Sequence, residues 1–231
     1  MIRYPLSVFL DTNIFKSCRY DFGSSSVLEL LKNLADQGKV KLFVSDIVVR
    51  ETEKHIKADI AEAISNFKKA RKSISSTLST SIVKDTHLAE IFELPMQSTV
   101  QDNALISFKE FLDSANSVML DSSGIDIESI LDDYFIGRAP FEQNENKKHE
   151  FPDALIASKL KLEFSEMKPL FVISGDDGFK KAFSDIRGFV CLKSVKELLD
   201  LINRQDEMYT SITRYLLDTN SRKLVAEFIK P

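Results

Sequence analysis

The stretch Leu6-Ser7-Val8-Phe9-Leu10-Asp11-Thr12-Asn13 decides the fold. Leu6, Val8, Phe9 and Leu10 form a compact apolar run that stops abruptly at three polar residues, which is the pattern of a buried strand ending at a turn. Working outward, Gly23 and Ser24 to Ser26 supply a break and N-cap candidates. Val27, Leu30, Leu31 and Leu34 then recur at helical spacing as far as Gly38. Val40, Leu42, Phe43 and Val44 read as a second strand, with Ser45 or Asp46 as the cap of the helix that follows. Strand, helix, strand, helix in that order predicts a parallel sheet with helices on its faces.

The same signals return late in the chain. Pro152 suits the start of a helix carrying Asp153, Ile156, Ala157 and Leu160. Leu170 to Ile173 is strand-like and is stopped by Ser174-Gly175-Asp176-Asp177-Gly178. A short helix (179–183), a strand (189–192) and a helix from Ser194 through Leu198, Leu199 and Ile202 complete the alternation. Between these ends, Ile56, Ile60, Ile64, Phe67, Ile74 and Leu78 mark one stripe of a long helix. It is predicted to end in Ser73 to Ser81, where seven of nine residues are Ser or Thr. Further helices are expected over 100–112 and 125–135. The expected organisation is one α/β domain over 1–204 with a helical insertion at about 55–145, followed by a helical tail over 205–231.

Composition bounds the function only loosely. The 231 residues are 43% hydrophobic, enough for a substantial core, and the net charge of -4 offers a polyanion no overall attraction, so any contact with nucleic acid must use local basic patches. The only two cysteines, Cys18 and Cys191, lie far apart, which argues against a zinc knuckle or a disulfide framework and fits a reducing cytoplasm. The apolar run at 6–10 is far too short to span a membrane, and no membrane partner is expected.

In an open parallel sheet, ligands bind beyond the carboxyl ends of the strands. Asp11 and Asp176 each follow an apolar strand, Glu51 lies in the first turns of the helix after strand two, and Asp153 lies in the first turn of another helix. Carboxylates gathered from four distant segments repel one another, by roughly 4 kcal/mol per pair at about 4 Å and intermediate dielectric. A hard divalent cation relieves that repulsion, and all-oxygen ligation favours Mg²⁺ or Mn²⁺ over zinc.

On Phe9-Leu10-Asp11-Thr12-Asn13, Val48-Val49-Arg50-Glu51, Phe151-Pro152-Asp153-Ala154-Leu155-Ile156-Ala157 and Val172-Ile173-Ser174-Gly175-Asp176 with Phe179, the sequence resembles the PIN-domain family of nucleases. The resemblance implies a Rossmann-like three-layer α/β/α sandwich and Mg²⁺- or Mn²⁺-dependent cleavage of single-stranded or structured RNA, leaving 5′-phosphate and 3′-hydroxyl ends. It implies that Asp11, Glu51, Asp153 and Asp176 are metal ligands or general-base candidates, with Asn13 and Ser174 as polar support. The family often carries a further acidic residue two positions after the last aspartate; here that place is Gly178, and Asp177 stands one position earlier as a candidate ligand. The stretch between Glu51 and Asp153 is longer than in compact toxin members, so an antitoxin does not follow from the resemblance. An antitoxin or other regulatory protein that masks the site, and a homodimer, stay open as partners.

Lys147 and Lys148, just upstream of Asp153, are candidate RNA contacts, whereas Phe67-Lys68-Lys69-Ala70-Arg71-Lys72 reads first as a solvated helix face. The histidines His55, His87 and His149 show no ligand spacing, and the 17 phenylalanines read as core. Two other functions compete. A haloacid-dehalogenase-type phosphatase would use Asp11 as nucleophile, but it wants an aspartate where this chain has Asn13. A catalytically silent RNA-binding or scaffold protein of the same fold would not need all four acidic positions filled.

Overall fold

The computed structural model describes residues 3–78, 82, 96–141 and 150–228, with side chains as far as 216. The opening run forms strand β1 (Leu6–Leu10), whose apolar side chains are all buried, and Asp11 caps the short helix α1 (Thr12–Ser17) that follows. Helix α2 (Val27–Asp36) is capped by the Ser26 hydroxyl, which accepts from the Glu29 N–H at 3.0 Å. It buries Leu28 and Leu31. Gly38, at φ +68°, then turns the chain into β2 (Val40–Ser45). Ser45 ends that strand and starts α3 (Asp46–Thr77), its hydroxyl accepting from the Val48 N–H at 3.1 Å. An Asp or Ser oxygen at each such junction satisfies a donor that the first helical turn leaves unpaired.

The middle of the chain contributes α4 (Gln97–Ser114), β3 (Val118–Leu120) and α5 (Ile127–Ile136). The last part contributes α6 (Phe151–Glu163), β4 (Leu170–Ile173), α7 (Asp177–Lys181), β5 (Phe189–Leu192) and α8 (Val195–Phe228). The expected helices are present, but the stretch read as wholly helical also carries β3, and Phe108, Phe111 and Leu112 of α4 belong to the main core. Its helices therefore build the crossover from β2 to the sheet edge. Residue 205, where a tail was expected to begin, falls within α8, with Gln205 buried and Asp206 accepting from the Tyr4 hydroxyl at 2.9 Å.

All five strands are parallel, in the order β3-β2-β1-β4-β5. The chain leaves β1 towards β2 on one side, and β4 arrives on the other. The connections therefore diverge between β1 and β4, and a crevice opens beyond their carboxyl ends. Leu10 pairs with Ile173, which brings Asp11 and Ser174 side by side at that crevice. Packing below it is dense: Phe15 meets Phe108 edge-on at 5.2 Å, and Phe9 and Phe183 flank Phe179. A satellite cluster of Ile130, Phe141 and Ala154, with Tyr134, Phe151 and Leu155 against it, pins the start of α6 to α5.

Candidate active site

Asp11 is the most constrained residue of the crevice, with 5% of its surface exposed. Its Oδ1 accepts from the Thr12 N–H at 2.7 Å; its Oδ2 accepts from the Ser174 hydroxyl at 2.6 Å and from Asn13 Nδ2 at 2.5 Å. Ser174, fully buried, also accepts from Asn13 Nδ2 at 3.1 Å and from the Asp176 N–H at 3.0 Å, and Asn13 Oδ1 accepts from the Gly175 N–H at 2.9 Å. Asn13 and Ser174 thus lace the end of β1 to the end of β4 and fix the Asp11 carboxylate between them. Burial pushes the Asp11 carboxyl up to about 6 against the lowering effect of its bonds from Ser174 and Thr12, and the charges of Glu51 and Asp176 add to the rise.

Glu51 reaches the same place from α3, and its Oε2 accepts from the Thr12 hydroxyl at 2.8 Å. Asp176 caps α7, its Oδ1 accepting from the Phe179 N–H at 3.0 Å, so one carboxylate oxygen is committed to the helix. Asp153, in the first turn of α6, is pushed up to about 8, chiefly by burial and then by the charges of Asp11, Asp176 and Glu51, with Glu150 last. Four carboxylates from four segments therefore lie within one another's field. Among the described residues, no three His, Cys, Asp or Glu side chains are drawn together into a ready-made ligand set.

Asp177 stands apart. It is exposed, its Oδ1 pairs with Lys180 Nζ at 2.9 Å, and Lys180, Lys193 and Lys181 hold its carboxyl below the usual range. It is absent from the charges that raise Asp11 and Asp153. Lys147 and Lys148 lie outside the described residues. Thr12, which the sequence offers only as a turn residue, proves to hold Glu51. A hydroxyl bonded to a residue 39 positions away leaves no trace in local pattern, although its place inside Asp11-Thr12-Asn13 is a signal of sorts.

No helix of the described chain is long and apolar enough to cross a membrane. No curated protein matches this sequence. Among solved structures, the chain is similar to one in the crystal structure of VapBC2 from Rickettsia felis bound to a DNA fragment from their promoter, at 14% identity and a TM-score of 0.38, covering 81% of this chain and 98% of that one. A family model, described as PIN domain, matches residues 8–179 and so takes in Asp11, Glu51, Asp153 and Asp176 together. With that match over more than half its length, the chain belongs to the PIN-domain family, a family of nucleases.

Proposed function

We propose that the protein is a divalent-metal-dependent ribonuclease whose acidic cluster, Asp11, Glu51, Asp153 and Asp176, holds Mg²⁺ or Mn²⁺. The observation that carries this reading is the convergence of these four carboxylates on the divergence of β1 and β4, where Asp153 is raised first by burial and then by the charges of Asp11, Asp176 and Glu51. The donor set fits a hard cation: it is all oxygen, anionic and self-repelling, with Asp11 and Glu51 already oriented by neighbours. When bound, such a cation neutralises phosphate charge and acidifies water for attack at phosphorus.

The chain's own residues supply the rest. Asn13 and Ser174 keep Asp11 in one rotamer, and Thr12 does the same for Glu51. Asp176 is anchored through Oδ1 at the start of α7, leaving Oδ2 for the crevice. Asp153, half-buried and with high proton affinity, holds a proton at neutral pH that a cation must displace. Asp177, paired with Lys180 and held below the usual range by its lysines, is left out of this proposed ligand set.

The test is cleavage of end-labelled single-stranded RNA with Mn²⁺ or Mg²⁺ by the wild type, by Asp11→Asn and by the wild type with chelator. Cutting by the wild type alone supports the reading. Equal inactivity of all three on several RNAs would sink it.

A further inference from the structure

We infer that the solvent face of α3 is a phosphate-backbone track that carries a long RNA strand away from the acidic cluster, an extension that rests on the nuclease reading above. The helix begins at the site, with Glu51 in its second turn, and runs on to Thr77, past Ile64, its last buried residue. Arg50, Lys54 and Lys57 follow at spacings of four and three and are all exposed. At about 3.6 residues per turn, Lys68 and Lys72 return to the azimuth of Arg50 and Lys54, five turns further on. All five cations therefore lie along one stripe, and at a rise of about 1.5 Å per residue it spans roughly 33 Å.

The stripe is not neutralised. Arg50 has a 3.5 Å pair with Asp46, and nearby Glu53 is engaged by Lys109 at 3.3 Å. Lys54, Lys57, Lys68 and Lys72 have no ion-pair partner among the described residues. Residues 63–84 contain no Asp or Glu at all, in a chain whose net charge is -4. That stretch is also rich in Ser, whose hydroxyls can donate to phosphate oxygens. An open groove of about 490 Å³ lined by Arg50, Glu53, Lys54, Lys57 and Ala58 marks where the stripe leaves the neighbourhood of Glu51. A solvated helix face would carry charges of both signs. Here Asp46 and Glu53 flank only the start of the stripe, and from residue 63 to the end of α3 the charges are all positive, so a polyanion is its complement. At about 3.4 Å per stacked nucleotide the stripe spans roughly ten nucleotides.

The test is binding of fluorescein-labelled oligouridylates of 6, 12 and 24 nucleotides, in EDTA so that nothing is cut. The full chain is compared with the combined Lys54→Gln, Lys57→Gln, Lys68→Gln and Lys72→Gln variant, whose helicity is checked by circular dichroism. Wild-type affinity should rise at least tenfold with length, and the variant should hold the longest RNA no better than the shortest. Its salt slope should be shallower by about 3, at roughly 0.7 per contact on a single strand. Wild-type-like affinity and slope in the variant would overturn the track, and so would polyglutamate competing as well as RNA, which would point to an acidic protein partner. Metal-dependent cleavage is measured in parallel. Intact cleavage with an unaffected variant fails the track alone. Length-dependent binding lost in the variant, from a protein that cuts no RNA, fails the nuclease reading and leaves the track standing.

Discussion

Asp153 and Ser174 respond in opposite ways to the crevice they share. The Asp153 carboxyl is raised to about 8 and that of Asp11 to about 6, whereas an unfolded aspartate titrates near 3.9. The folded state therefore keeps protons that the unfolded state releases. The contribution of these two carboxyls to stability is greatest below about pH 4 and declines as pH rises through 6 and 8. In chelator, the melting temperature should fall steadily from pH 5 to pH 8. Asp153→Asn removes the larger ionisation, so it should flatten that decline and melt several degrees above the wild type at pH 8, while RNA cleavage drops by about a hundredfold or more; a variant that melts below the wild type at pH 8 would refute the argument. Ser174→Ala works the other way. It deletes the hydroxyl that donates to Asp11 and leaves the Asn13 amide and the Asp176 N–H without that acceptor. The expected cost is about 1–3 kcal/mol in urea unfolding, together with loss of cleavage through a loosened Asp11.

The elements differ in how openly the sequence declared them. β1 and β4 were legible because each is a run of buried apolar residues, broken in β1 only by Ser7, that is halted by polar residues, and α2 and α3 because Ser26 and Ser45 stand where a cap must stand. β3 was not. It is a three-residue edge strand, Val118-Met119-Leu120, with Met119 half exposed, too short for any period to register. The cluster under α6 was hidden for a different reason: Tyr134 meets Phe141 at 5.4 Å and Phe151 at 5.0 Å, contacts that bridge two segments and that no spacing rule can pair. The phenylalanines read as core mostly are, but Phe135 is 77% exposed. This cluster seats the first turn of α6 and with it Asp153. Phe141→Ala should therefore cost about 3–5 kcal/mol as a large-to-small change. It should also lower cleavage more than an equally destabilising change remote from α6, such as Ile202→Ala. Equal losses of activity at matched stability would show that the cluster does not position Asp153.

At the scale of the molecule, the sheet order converts four acidic residues far apart in sequence into one electrostatic unit. That convergence was legible only as far as strand ends and helix starts could be predicted. The direction in which Asp177 points was not legible, because it depends on Lys180, Lys193 and Lys181 arriving from α7 and from beyond β5. A shared field has a consequence for metal binding that no single residue has. A cation entering the cluster must displace the proton that Asp153 holds at neutral pH, so binding and deprotonation are linked. Calorimetric titration with Mg²⁺ or Mn²⁺ at pH 7, repeated in buffers of different ionisation enthalpy, should report release of about one proton per cation, falling towards zero near pH 9. The same cation at a hundred times its dissociation constant should add about 2.7 kcal/mol of stability. Asp153→Asn should abolish the proton release at pH 7 and most of the stabilisation. Asp177→Asn, on the residue that faces its lysines, should change neither. If Asp177→Asn instead removed the metal-dependent stabilisation while Asp153→Asn left it intact, the cation would belong on the lysine-flanked side of α7, and the assignment of the cluster would be wrong.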